Sequence, residues 1–406
     1  MLDFLQNALL FVVPFLLVLT LVVTIHELGH FWAARALGIA VDRFAIGFGR
    51  PLLSRTDKHG VEWRFGWIPL GGYVRFAGDA EASSSVPDAD SLSELRTRIQ
   101  RTEGEGAEKR YFHFKPVWAR AIVVAAGPLA NFALSIFLFA LLLGVFGETV
   151  VAPRVGGEPI GAAKAAGFQK GDLIRSADGR RIDDFRDIKL YVSLRAEQPI
   201  TFVVDRAGRE VTLVATPQRK IEVDPLTGST SKLGVLGLIG PTGGEDISRR
   251  RYPPLQALAG GVQRTWSILD TTVVYLGRLF RGLESGDQLG GPLRMAAAAS
   301  GATEAGAQGA VDLGGKILGG GVALLYLAGV LSVGIGFMNL LPVPVLDGGH
   351  LLFYAYEAVA RRPLGARIQA AGYRVGLALL LGLMLFATWN DLQQLRVFKI
   401  IGGLFS

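Results

Sequence analysis

The chain has 406 residues, of which 50% are hydrophobic and 19% charged, with no cysteine and a formal net charge of +7. That is too apolar for an ordinary soluble protein and too charged for a chain made only of membrane spans, so a few membrane helices plus one sizeable water-exposed domain are expected. The missing cysteines exclude disulfides and thiolate metal sites, and basic loops beside spans account for the positive balance without a nucleic-acid partner.

Crossing about 30 Å of hydrocarbon takes roughly 20 helical residues. The first stretch of that kind covers about 4–34 and opens with "MLDFLQ". It has no basic n-region, and no small-x-small site closes it, so it is expected to stay and to span. A loop follows, whose "RFAIGFGRPLLSRTDKHGVEWRFGWIPLGGYVRFAGD" falls into short strand-like pieces broken by Gly and Pro. It is apolar and aromatic for a loop, which suggests strands set against the membrane core. The next stretch, "AEASSSVPDADSLSE" to "TEGEGAEKR", reads as a polar linker.

A second span is expected over about 117–146, and from about 150 to 218 the pattern changes to a soluble α/β module. There "ITFVVDR" and "EVTLVAT" flank the turn "RAGRE", and "FRDIKLYVSL" has helical spacing. Residues 255–283 form an amphipathic helical stretch suited to a membrane surface or a partner helix. A third span is expected at about 319–341 and a fourth at about 372–390. Lys and Arg crowd the loops after the first span, before the second and between the third and fourth. These loops are therefore expected to be cytoplasmic, with the long 148–318 segment outside.

The expected organisation is a first span with its motif (1–35), a cytoplasmic loop with β-region and polar linker (36–116) and a second span (117–147). The α/β module (148–219), an extracytoplasmic linker with the amphipathic helix (220–318) and a third span (319–341) follow. A Pro- and Gly-rich stretch with a cytoplasmic loop (342–371) and a fourth span with a tail (372–406) complete the chain.

The first span ends in "HELGH", so His26 and His30 lie four residues apart and share one helix face. Two imidazoles at that spacing can hold one Zn²⁺, with Glu27 beside them as general base. Ionisable groups within a span are costly and default to a functional reading. The plain alternative is a helix that has already reached water. Catalytic zinc has three protein ligands and an open position, so a third ligand is required. Asp347, in "GFMNLLPVPVLDGGH", is the first candidate. Pro342 and Pro344 stop regular helix before it, and topology brings both motifs to the same side. An N-cap role for Asp347 is the structural alternative, His350 is a rival ligand, and His59 and His113 read as surface residues.

"HELGH" in a first span, "GPLANF" in a second and "NLLPVPVLDGGH" in a third resemble the site-2 protease family of intramembrane zinc metalloproteases, of the bacterial regulator of sigma-E protease type. The resemblance covers nearly the whole chain. It implies a mainly α membrane protein of about four transmembrane helices, a membrane-associated β-region at "WIPLGGYVRFAGD" and one extracytoplasmic PDZ-like α/β domain at "GDLIRSADGRRI". It implies zinc held by His26, His30 and Asp347, and Glu27 as catalytic base. The best-known members of this group carry two PDZ modules in tandem, whereas this chain has room for one. Asn339 is a candidate donor to the substrate backbone or oxyanion. Asn131, with Gly127 and Pro128, reads as packing between spans.

By the same resemblance, the expected partners are the lipid bilayer and single-span substrates of anti-sigma-factor type, cut first by another protease, or remnant signal peptides. The expected location is a bacterial inner membrane, with the active site toward the cytoplasm and the PDZ-like domain periplasmic. One rival reading is a non-catalytic, PDZ-bearing membrane scaffold; another is a protease acting on soluble substrates at the cytoplasmic face.

Overall fold

The computed structural model describes residues 2–78, 89–223, 230–242, 244–282, 290–308 and 312–394. In chain order come α1 (Leu2–Ala36), β1 (Val41–Thr56), β2 (Glu62–Phe76), α2 (Ala89–Glu103) and α3 (Val117–Leu141). Next are β3 (Glu148–Val151), α4 (Gly161–Ala165), β4 (Leu173–Ala177), β5 (Arg180–Arg181), α5 (Phe185–Ser193), β6 (Ile200–Arg206) and β7 (Arg209–Ala215). Then β8 (Gln218–Val223), β9 (Thr230–Val235), β10 (Ile247–Arg250), α6 (Pro254–Phe280), α7 (Pro292–Ala307), α8 (Leu313–Leu340), α9 (Asp347–Ala360) and α10 (Ala366–Gln394). The chain divides into two compact units: Met1–Ala140 with Leu258–Thr272 and Gly290–Asn390, and Leu141–Ala257 with Val273–Leu289 and Asp391–Ser406.

The helices α1, α8 and α10 have the length and apolarity to cross a membrane, and so does the helical run Val117–Phe146 that starts with α3. The chain is a multi-pass membrane protein. Val18 and Val22 of α1 pack with Leu138 of α3 and Ala328 of α8. Close approach comes from small residues: a Cβ on Gly29 of α1 would lie 2.3 Å from the Ala126 carbonyl oxygen of α3. The third and fourth spanning helices start six residues before the apolar runs expected at 319–341 and 372–390. Backbone hydrogen bonding carries a helix past the end of its hydrophobic signal, through Lys316 in one and Arg367 in the other.

Between α1 and α3 the expected short strand pieces are two long strands. β1 and β2 pair in a ribbon with repeated register breaks, so Phe44 lies opposite both Val74 and Trp63. Phe44 is 1% exposed, and its ring lies 5.5 Å from Phe31 on the last turns of α1. The aromatic character of this loop therefore seats it on the end of the first spanning helix. The polar linker expected before α3 contains a helix instead. In α2, Leu95 and Ile99 are spaced i, i+4, and Ile99 packs with Ala77 and Tyr111. Two apolar residues amid charge give too weak a periodicity to read from sequence. Residues 79–88 lie outside the described residues.

The second unit holds an antiparallel sheet in the order β5-β4-β6-β7, with α5 across it. The β6–β7 hairpin turns at Ala207 and Gly208, both at positive φ, as a two-residue hairpin favours. Asp184 caps α5 by accepting from Arg186 N at 2.8 Å. Phe185, Ile188 and Val192 then fall on the core face. The module does not stop at 219. Leu236 is buried in the same core, and the Ala163 N–H donates to its carbonyl. Within the segment expected as a linker with an amphipathic helix over 220–318, that helix is α6, strands β8, β9 and β10 fall in this unit, and α7 falls in the first. The segment's polar, Gly-rich sequence hid short strands.

Asp172 in this core is 1% exposed and accepts two 2.8 Å bonds from Arg206. Burial raises its carboxyl pKa, but the guanidinium and the Gln169 N–H outweigh that and leave it below the usual range. Its folded value is depressed, so its stabilisation is complete above the unfolded carboxylate value near 4 and fades as pH falls below it. Replacing Arg206 with Leu strands the buried carboxylate and is expected to cost about 3–5 kcal/mol. Amide hydrogen exchange across β4, β6 and β7 at pH 7 checks it; unchanged protection would contradict the assignment.

Candidate metal centre

His26, Glu27 and His30 continue α1 without a break, and Asp347 opens α9. The turn between α8 and α9 runs through Pro342 and Pro344. Gly348 allows the return, because a Cβ there would lie 2.3 Å from the Leu340 and Leu341 carbonyl oxygens. Leu346, not Asp347, occupies the cap position of α9, so the Asp347 side chain is free of that duty. It faces the two imidazoles: Oδ2 lies 3.1 Å from His26 Nε2 and 3.5 Å from His30 Nε2, and the two Nε2 atoms are 3.2 Å apart. Four ligands around a tetrahedral ion with bonds of roughly 2.0–2.1 Å stand about 3.3 Å apart. The three distances therefore match a common ion. Asp347 Oδ2 is also buried without a well-directed hydrogen bond, which is an unsatisfied acceptor that a cation would satisfy. Burial raises the Asp347 pKa, but the two imidazoles outweigh it and hold the carboxyl well below its usual range.

α3 supports both rings. His30 Nδ1 is 2.9 Å from the Val123 carbonyl, and His26 Nδ1 is 3.3 Å from Asn131 Nδ2. Glu27 points into the same space, and its Oε2 accepts the Val74 N–H of β2 at 3.1 Å. α9 is tied to α3 by Arg120, which donates to Glu357 at 2.6 Å and lies over the Tyr354 ring.

A cavity of about 610 Å³ opens here, lined by His26, Glu27, His30, Asp347, Asn339 and residues 72–74 of β2. His350 and His113 line it too. His350 is not one of the three groups that converge; its ring lies 3.3 Å from the Tyr373 hydroxyl, and burial lowers its pKa. His113, read as a surface residue, is a cavity residue, while the backbone N–H of His59 donates to Asp57 in the β1–β2 turn. The sequence reading missed the Asn131, Val123 and Val74 contacts. "GPLANF" stood out as a motif, but nothing in it indicates that its asparagine reaches a histidine more than 100 residues earlier.

Fold and site together define a membrane metalloprotease. The sequence model for peptidase family M50 matches residues 14–383. The metalloprotease MmpA of Caulobacter vibrioides is 51% identical over 404 residues, which cover 98% of this chain and 99% of that protein. A protein of Agrobacterium fabrum with zinc metalloprotease in its name is 41% identical, over 95% of this chain and 96% of its own length. One of Mesorhizobium japonicum, named likewise, is 43% identical over 94% and 98%. The chain belongs to peptidase family M50, the zinc-dependent site-2 protease family.

Proposed function

We propose that this protein hydrolyses peptide bonds within the membrane segments of single-span proteins, with zinc held by His26, His30 and Asp347. The observation that carries this reading is the convergence of those three side chains, with Glu27 beside them, at the end of an apolar helix. When bound, zinc acidifies a water and polarises the scissile carbonyl. Glu27 takes a proton from the attacking water and passes it to the leaving amide nitrogen as the C–N bond breaks. Asn339, on the cavity wall, donates to the carbonyl oxygen or to the neighbouring substrate backbone.

A substrate helix hides its carbonyls in its own hydrogen bonds and must unwind to be cut. The β-region around Gly71–Phe76 receives it as an added strand. Two observations support this: Gly72, Tyr73 and Val74 line the cavity, and the Val74 N–H points at Glu27. The α/β module is read as a PDZ-like domain that admits substrates already trimmed by a first protease. Anti-sigma-factor-type proteins and remnant signal peptides are the substrate classes. The setting is a bacterial inner membrane, with the centre toward the cytoplasm and the module outside. The scaffold reading is disfavoured because Glu27 sits among the ligand side chains without being one of the three that converge.

The ligand set is tested by metal analysis. Asp347→Ala should leave the purified protein substoichiometric in zinc, while His350→Ala should stay loaded; the reverse result would replace Asp347 with His350. The absence of cysteine makes single-cysteine labelling clean for orientation. Lys58→Cys should be reached by an impermeant reagent only from the cytoplasm, and Lys170→Cys only from outside. Moving a test substrate's scissile region from its span into a soluble tail should abolish cleavage, and continued cutting would favour a soluble-substrate protease.

A further inference from the structure

We infer that Asn131 positions His26 through its side-chain oxygen, fixing the imidazole with its proton on Nδ1 and its Nε2 free toward the centre. The inference rests on reading His26 as a zinc ligand.

The two histidines have the same requirement. To offer Nε2 to a cation, each neutral ring must carry its proton on Nδ1, and that proton needs an acceptor. For His30 the requirement is met by main chain. The Val123 carbonyl, 2.9 Å from Nδ1, can only accept, so Nδ1 donates and Nε2 is bare. Among the described residues His26 has no such carbonyl partner. Its Nδ1 faces the Asn131 side-chain amide at 3.3 Å.

An amide can present either end. With Nδ2 toward the ring, His26 Nδ1 would have to accept, which puts the ring proton on Nε2 and closes that atom to a ligand. A half-turn of the amide changes neither its outline nor its packing. It brings Oδ1 to Nδ1–H and frees Nε2 to face Asp347. The geometry of the centre selects this second orientation.

Asn131 is itself held in place. It is 0% exposed, and the Ser332 hydroxyl of α8 donates to its main-chain oxygen at 2.8 Å. Gly336 of α8 lies so close that a Cβ there would come within 3.2 Å of the Asn131 Cβ. Contacts from α8 thus reach His26 on α1 by way of one residue of α3. Asn131 touches neither substrate nor reacting atoms, so it is a positioning residue.

The test is zinc affinity of the purified full-length protein, by competition with a chromophoric chelator, for wild type, Asn131→Leu, Asn131→Ala, Asn131→Asp and His26→Ala. Asn131→Leu keeps the volume and removes the acceptor; it should weaken zinc binding about 10–100-fold. Asn131→Ala, which cannot overpack, should do the same if the Leu variant misfolds. Asn131→Asp restores an acceptor and should bind zinc within a few-fold of wild type and still cleave substrate. A packing role would impair Asp at least as much as Leu, because it buries a charge. Equal loss in both, or wild-type affinity in the Leu and Ala variants while His26→Ala loses zinc, overturns the inference. Wild-type affinity in His26→Ala overturns the ligand reading beneath it and the inference with it.

Discussion

Glu27→Gln is expected to lower cleavage of a single-span substrate about 10²–10⁴-fold while zinc content stays at the wild-type level. Gln has nearly the same shape as Glu and keeps an oxygen that can accept the Val74 N–H, now 3.1 Å from Oε2. What it loses is the capacity to take a proton from water. Glu27 is not one of the three converging side chains, so metal retention should not depend on it. The measurement pairs metal analysis with a cleavage assay on the same membrane preparation. Full activity in the Gln variant would remove Glu27 from the mechanism. Loss of zinc together with activity would make its role structural.

Gly127→Ala should have an effect of the opposite kind, abolishing zinc binding through a single methyl group. An Ala is intrinsically favoured over Gly in a helix by about 1 kcal/mol, so a gain in stability would be the naive expectation. Here the added Cβ would lie 2.3 Å from His30 Nε2 and 2.9 Å from His26 Cε1. Something must move by close to an ångström. The rings cannot yield freely, since His30 is pinned by the Val123 carbonyl and Asp347 crowds both from the other side. The α3 backbone cannot recede without opening the Gly29–Ala126 crossing. Either response pulls the ligand atoms away from the spacing of about 3.3 Å that a tetrahedral ion needs. Zinc stoichiometry after gel filtration checks the outcome. A loaded, active Gly127→Ala enzyme would mean that the three side chains do not form the centre.

The two sets of observations draw on different physics. "HELGH" was legible because a helix repeats every 3.6 residues, so spacing alone puts His26 and His30 on one face. The four spanning helices were legible because the bilayer imposes a length and a polarity. Their ends were not, since helical hydrogen bonding runs on through polar residues such as Lys316 and Arg367. Helix α2 was missed because only Leu95 and Ile99 mark its buried side, and strands β8 and β9 because short polar strands carry almost no pattern.

Local patterning carries the chemistry that could occur: two imidazoles, a carboxylate between them and a Pro- and Gly-rich break holding Asp347, all beside spans that a membrane would fix in place. Packing between distant segments settles which groups meet. It brought Asp347 rather than His350 to the histidines, gave Glu27 a hydrogen bond from β2, and put Asn131 and Gly127 of α3 against the imidazoles. Local periodicity reports on neighbours within a turn or two of helix, whereas these contacts join residues tens to hundreds of positions apart. They arise from how small residues let α1, α3 and α8 approach, and no single stretch of sequence encodes that distance.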